Sequence, residues 1–149
     1  MATVETVQSI LKGKGGDVWS LPPSATVFEA LGLMAEKSIG ALVVVSEGQP
    51  VGVLSERDYA RKVFLKGKSS KETLVGEIMT SPVMTVEPRC SVLECMRIMT
   101  ANRVRHLPVL DQGRLAGIVS IGDLVNSIIS AQAQTIQQLR SYVTGEYPA

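Results

Sequence analysis

The chain has 149 residues, 45% of them hydrophobic, and fifteen Lys and Arg against fourteen Asp and Glu give a net charge of +1. That length suits one compact domain or two small halves sharing a core. Near-neutral charge without a long basic run speaks against a nucleic-acid partner, and no apolar run approaches the roughly 18–20 residues that cross a bilayer.

The opening MATVETVQSI has neither a signal-peptide core nor an Arg-rich presequence, so a cytoplasmic protein without a membrane span is expected. Val4, Val7, Ile10 and Leu11 recur at helical spacing until the glycines at 13–16 stop them, which predicts a short docking helix and loop over residues 1–16. Residues 17–65 then read as an extended piece at 18–21, a Pro-Pro turn, and a helix opened by Thr26 with Glu29 three residues on. This is capping-box spacing, in which the hydroxyl accepts from the helix's early N–H and the carboxylate reaches back. Val27, Ala30, Leu31 and Met34 form its apolar stripe. Two strands follow at 41–45 and 50–54 around Glu47-Gly48-Gln49, rich in Val and bounded by Gly, and a second helix starts at Ser55.

Residues 66–80 form a linker, charged at 66–71. Residues 81–130 repeat the first unit: Ser91 with Glu94 opens a helix whose stripe is Val92, Cys95, Met96 and Met99, strands lie at 107–110 and 115–119, and a second helix starts at Ser120. Residues 131–149 hold a further helix, with Ile136, Leu139, Arg140 and Val143 on a narrow stripe suited to a partner or to the N-terminal helix, and a tail.

The two units say nearly the same thing. GVLSERD at 52–58 and GIVSIGD at 117–123 stand 65 positions apart. The same offset pairs Val18 with Val83, Pro23 with Pro88, Glu29 with Glu94, Met34 with Met99, Gly48 with Gly113, Ser55 with Ser120 and Asp58 with Asp123. One register held over forty residues, through turn glycines and polar positions alike, marks an internal duplication whose function lies where the copies meet. Only two cysteines occur, Cys90 and Cys95, with a single histidine. That set makes no metal cage. A five-residue spacing within a regular helix turns the side chains off one face, so a disulfide is not expected and Cys95 reads as a small core residue.

The paired Gly-x-x-Ser-x-x-Asp segments, the string Val-Arg-His-Leu-Pro-Val-Leu-Asp at 104–111 and the lead-in Glu-Ile-Met-Thr at 77–80 resemble the tandem cystathionine-beta-synthase (CBS) domain family, or Bateman module. The resemblance covers about residues 18–129 and looks like a stand-alone pair. It implies an α/β (α+β) fold of two pseudo-symmetric repeats, each strand-helix-strand-strand-helix, packed sheet to sheet. It also implies dimerisation through the module, an unknown regulated protein as partner, and two clefts for adenine-containing ligands: AMP, ADP, ATP, NAD(H) or S-adenosylmethionine.

In such clefts Asp58 and Asp123 would accept from ribose hydroxyls beside Ser55 and Ser120. The plainer structural reading is that each Ser is an N-cap and each Asp satisfies free N–H groups in the first turn. Arg105 with His106 would meet a phosphate in the cleft of Ser120 and Asp123, giving it a preference for AMP, against the plain reading of a solvated Arg at a strand edge. The Ser55 and Asp58 cleft would lack that clamp, with Arg57 supplying a charge or stacking surface for a different or larger adenylate such as NAD(H). Val18 and Ser20 would serve the Asp123 cleft and Val83 and Thr85 the Asp58 cleft, with Val53 and Ile118 completing the set. Val18 and Val83 read equally well as core strand.

Lys-Gly-Lys-Ser at 66–69 lacks the upstream glycine of a phosphate loop, the glycines at 13, 15 and 16 do not make a dinucleotide fingerprint, and no nucleophile relay is visible. A non-catalytic adenylate sensor is the leading reading. A protein-interaction module without nucleotide is the alternative.

Overall fold

The computed structural model describes residues 5–144; Val4, placed above in the first helix, lies outside them. The N-terminal helix α1 spans Val7–Lys14 and is capped by Thr6. The first repeat contains β1 (Ser20–Leu21), α2 (Val27–Lys37), β2 (Ala41–Ser46), β3 (Gln49–Ser55) and α3 (Glu56–Tyr59), which runs on as a wider π-type turn over Ala60–Phe64. After α4 (Val75–Ile78), the second contains α5 (Val92–Asn102), β4 (His106–Asp111), β5 (Arg114–Ser120) and α6 (Ile121–Thr144).

β2 and β3 form an antiparallel hairpin with Ala41 opposite Ser55, and β4 and β5 match it with His106 opposite Ser120. Both turns place a glycine at positive φ, Gly48 and Gly113, each at 78°. β1 adds in parallel at Leu21↔Val44. Its counterpart in the second repeat is reduced to one parallel bridge, Val86↔Val109, at the same 65-residue offset.

Each repeat has its own core, and each core borrows from the segment that precedes the other repeat. Val27, Ala30, Met34, Leu42 and Leu54 pack with Val75 and Ile78 of α4. Val92, Cys95, Met99, Leu107 and Val119 pack with Val7, Ile10 and Leu11 of α1. Both methionine stripes are therefore core. The crosswise docking explains Gly52 and Gly117: a Cβ at Gly52 would fall 2.6 Å from Met79 Sδ, and one at Gly117 would fall 2.7 Å from Leu11 Cδ2.

Three local expectations need correction. Thr26 and Ser91 cap α2 and α5 through Glu29 and Glu94 backbone N–H groups at 3.1 Å each, but the reciprocal box closes at Ser55–Asp58 and Ser120–Asp123 instead. The helix expected at 131–143 is not separate, because no Pro or Gly stands between Gly122 and Thr144 and α6 continues unbroken for 24 residues. Cys90 lies before the cap of α5, not inside the helix, so the spacing argument does not hold and its sulfur sits 3.6 Å from that of Cys95.

Candidate functional site

Where β3 ends, Ser55 caps α3: its hydroxyl accepts from the Asp58 N–H at 3.2 Å. Asp58 Oδ2 accepts from the Ser55 N–H at 2.9 Å and from its hydroxyl at 3.1 Å. Asp58 Oδ1 accepts from the Thr80 hydroxyl at 3.1 Å and pairs with Lys62 Nζ at 3.1 Å. Thr80 is held there because it bridges antiparallel to Val53 just after α4. The Asp58 carboxylate is thus fixed by one helix cap and two elements, and is nearly buried at the floor of a cleft.

That cleft encloses about 820 Å³ between the repeats, within the usual range for a small-molecule site. Val53, Ser55, Glu56, Arg57, Asp58, Arg61 and Lys62 line it from the first repeat, with Thr80 from the lead-in and Pro82, Val83, Met84, Arg103, Arg105 and His106 from the second repeat. Seven of the expected residues meet here: Val53, Ser55, Arg57, Asp58, Val83, Arg105 and His106. Thr85 is half-buried and does not line the cleft.

Arg105 and His106 depart from the expected grouping, since both line the Asp58 cleft, while His106 also feels the Asp123 carboxylate. The start of α6 is pinned to the loop before β4 by the Ile121 N–H to Arg105 carbonyl bond of 2.9 Å. That loop faces the first repeat across the pseudo-twofold. The Asp58 cleft therefore has the arginine clamp it was expected to lack. Arg105 and then Arg61 press the exposed Arg57 guanidinium below its ordinary pKa, the signature of like charges crowded without matching acids. Burial holds His106 below the usual imidazole range, against the opposing pull of Asp123.

Ser120 and Asp123 repeat the cap geometry: Asp123 Oδ2 accepts from the Ser120 N–H at 2.8 Å, and the Asp123 N–H donates to Ser120 Oγ at 3.2 Å. Here Lys14 of α1 pairs with Oδ2 at 2.7 Å and donates to the Ile118 carbonyl at 3.0 Å. Burial alone would raise the Asp123 carboxyl; the Lys14 hydrogen bond and the Ser120 N–H outweigh it and hold the group below its ordinary value. Val18 is half-buried and Ser20 sits exposed in β1 opposite Val43.

Arg61, Lys62, Arg103, Thr80 and Lys14 escaped the sequence reading. Arg61 and Lys62 fall one turn beyond Asp58 on the same helical stretch, a spacing that sequence offers. Lys14 gave no such signal, because its contact is 109 positions away. Among the described residues no cluster of His, Cys, Asp and Glu could hold a metal, and no helix is long and apolar enough to cross a membrane.

Two duplicated units, docked crosswise around a cleft lined by both and floored by a capped aspartate, define a paired ligand-binding module. The chain belongs to the CBS-domain family: the model described as "CBS domain" matches residues 15–64 and 75–130, and the family places it among regulatory and signal-transduction proteins. It is 39% identical over 152 residues to the Arabidopsis thaliana CBS domain-containing protein CBSX3, mitochondrial, covering 95% of this chain and 73% of that one. A protein with CBS domains from Burkholderia ambifaria MC40-6 is 52% identical with a TM-score of 0.79, covering 84% of this chain and 94% of that one. The CBS domain pair of protein MJ0100, in complex with 5′-methylthioadenosine and S-adenosyl-L-methionine, is 25% identical with a TM-score of 0.75, over 86% and 98% of the two chains.

Proposed function

We propose that this chain is a non-catalytic sensor that binds an adenine nucleotide with two or three phosphates in the Asp58 cleft and relays occupancy to a regulated partner as a homodimer in the cytoplasm. The observation that carries the reading is the charge of one cleft. Five cations, Arg57, Arg61, Lys62, Arg103 and Arg105, line it against two acids, Glu56 and Asp58, an excess of three. A phosphate monoester carries about −2 at neutral pH, so AMP leaves cations unmatched where ADP or ATP does not.

Ribose hydroxyls would take the places on Asp58 Oδ1 held by the Thr80 hydroxyl and Lys62. Lys62, on a flexible stem, then turns to a phosphate. An acceptor-only carboxylate suits a cis-diol, and Val53 and Val83 offer apolar surface to the base. The adenosine ligands of the MJ0100 pair support the class of ligand. The AMP preference expected for an Arg105 site shifts toward a longer phosphate chain because Arg105 stands among four other cations.

Isothermal titration tests this. ATP is expected to bind at one per chain, at least tenfold tighter than AMP; equal affinities would overturn the phosphate reading. A second reading, an interaction module without nucleotide, draws on the exposed stripe of Ile129, Ile136, Leu139 and Val143 on α6. It prevails if no adenylate, NADH included, raises the melting temperature. A fluorescent fusion checks the compartment, for which the mitochondrial relative supplies the alternative.

A further inference from the structure

Asp58 and Asp123 are equivalent by register, yet their surroundings diverge. The 65-residue offset sets Arg57, Arg61 and Lys62 against Gly122, Asn126 and Ser127, and Arg103 and Arg105 against Ser38 and Gly40. Every cation of the first cleft has an uncharged counterpart. The second carboxylate instead meets a cation from outside the duplication, Lys14, at 2.7 Å.

The placement follows from how the lead-ins dock. Met79 fills the space over Gly52, and Leu11 fills the space over Gly117. Immediately after Met79 comes Thr80, whose hydroxyl reaches Asp58. After Leu11 the chain carries Lys12, Gly13 and Lys14, and the ammonium arrives where the first site has a hydroxyl. Lys14 is flanked by Gly13, Gly15 and Gly16, with Gly15 at a positive φ of 92°, while Val7 is wholly buried in the second core. The helix is thus anchored through Val7 and Leu11, and the chain is permissive only beyond them, from Gly13 onward.

We infer that Lys14 is an intramolecular latch on the second cleft: it holds Asp123 in place of a ligand's cis-diol, and an uncharged ribonucleoside binds there only when Lys14 and the glycines beside it swing away. This rests on the proposal that the capped aspartates bind ribose. An uncharged ligand is specified because no cation stands at the positions equivalent to the five that line the first cleft. Displacing Lys14 leaves the Asp123 carboxylate to accept two hydroxyl protons, and the freed segment becomes the moving part.

Equilibrium dialysis of labelled adenosine, and separately of ATP, against wild type, Lys14→Met and Lys14→Met/Asp123→Asn tests the latch. Lys14→Met is expected to take up one adenosine per chain, wild type to bind it at least tenfold more weakly, and the double variant to lose it, all three retaining ATP. Equal adenosine affinity in wild type and Lys14→Met overturns the latch, as does uptake that survives loss of Asp123 or no uptake by Lys14→Met. ATP bound beside any of these failures leaves the first-cleft reading standing; loss of ATP in wild type sinks that reading separately. Hydrogen exchange on wild type needs no variant: saturating adenosine should speed exchange of the amides at 13–15, and unchanged exchange also overturns the latch.

Discussion

Replacing Asp58 with Ala removes the acceptor for four donors at once: the Ser55 N–H at 2.9 Å, the Ser55 and Thr80 hydroxyls at 3.1 Å each, and Lys62 at 3.1 Å. Loss of the cap bond costs about 1 kcal/mol. The two hydroxyls face an open cleft and rehydrate in part, adding about 1 kcal/mol between them. Lys62 is 42% exposed, so its ion pair adds little. The sum is about 2 kcal/mol, which for a chain of this size lowers the melting temperature by about 4–8 °C. Asp58→Asn keeps one acceptor oxygen and should lose about half as much. Differential scanning fluorimetry without nucleotide reads the stability loss, and the ATP-induced shift reads binding, expected to vanish in Asp58→Ala. An Asp58→Ala protein melting within about 1 °C of wild type would refute the claim that this carboxylate ties Thr80 and α3 together.

Other outcomes follow from the same geometry. His106 titrates below its ordinary range because of burial, so between that depressed value and about 6.5 the unfolded chain binds the proton that the folded one refuses. Stability should therefore rise as pH increases from below the usual imidazole range toward about 7, and His106→Gln should flatten that rise in urea titrations. Arg105→Gln should weaken ATP more than AMP and lower the salt dependence of ATP binding; equal losses for both ligands would count against phosphate contact. Burial, then the Cys90 thiol, pushes the Cys95 thiol up to about 12. At pH 8 iodoacetamide should leave Cys95 unmodified until urea is added, and native-state modification of both cysteines at one rate would contradict its burial.

The strands and first helices were legible because Val-rich runs and cap residues carry local signals that the core then ratifies. The repeat was legible because register survives divergence. What escaped is long-range. Alignment equates Arg105 with Gly40 but does not say which cleft either faces, and the pseudo-twofold turns the β4 entry toward the other repeat. Cys90 was misjudged by assuming that helix geometry reached one residue beyond its cap. The unbroken α6 was read as two helices because duplication suggested a stop at residue 130, whereas only a breaker would supply one. Lys14 sits in a Gly-Lys stretch whose composition says loop, and its partner declares itself only in three dimensions.

The crosswise lead-ins bear on the order of synthesis. When the ribosome has made the first repeat, α4 and Met79, which complete its core, are still to come, and α1 has already emerged with nothing to dock on. Its apolar face, Val7, Ile10 and Leu11, waits until the second repeat has been translated. The first half can close as soon as Met79 has emerged, whereas α1 has no core to join until the second repeat follows, so its apolar face stays uncovered while that repeat is synthesised.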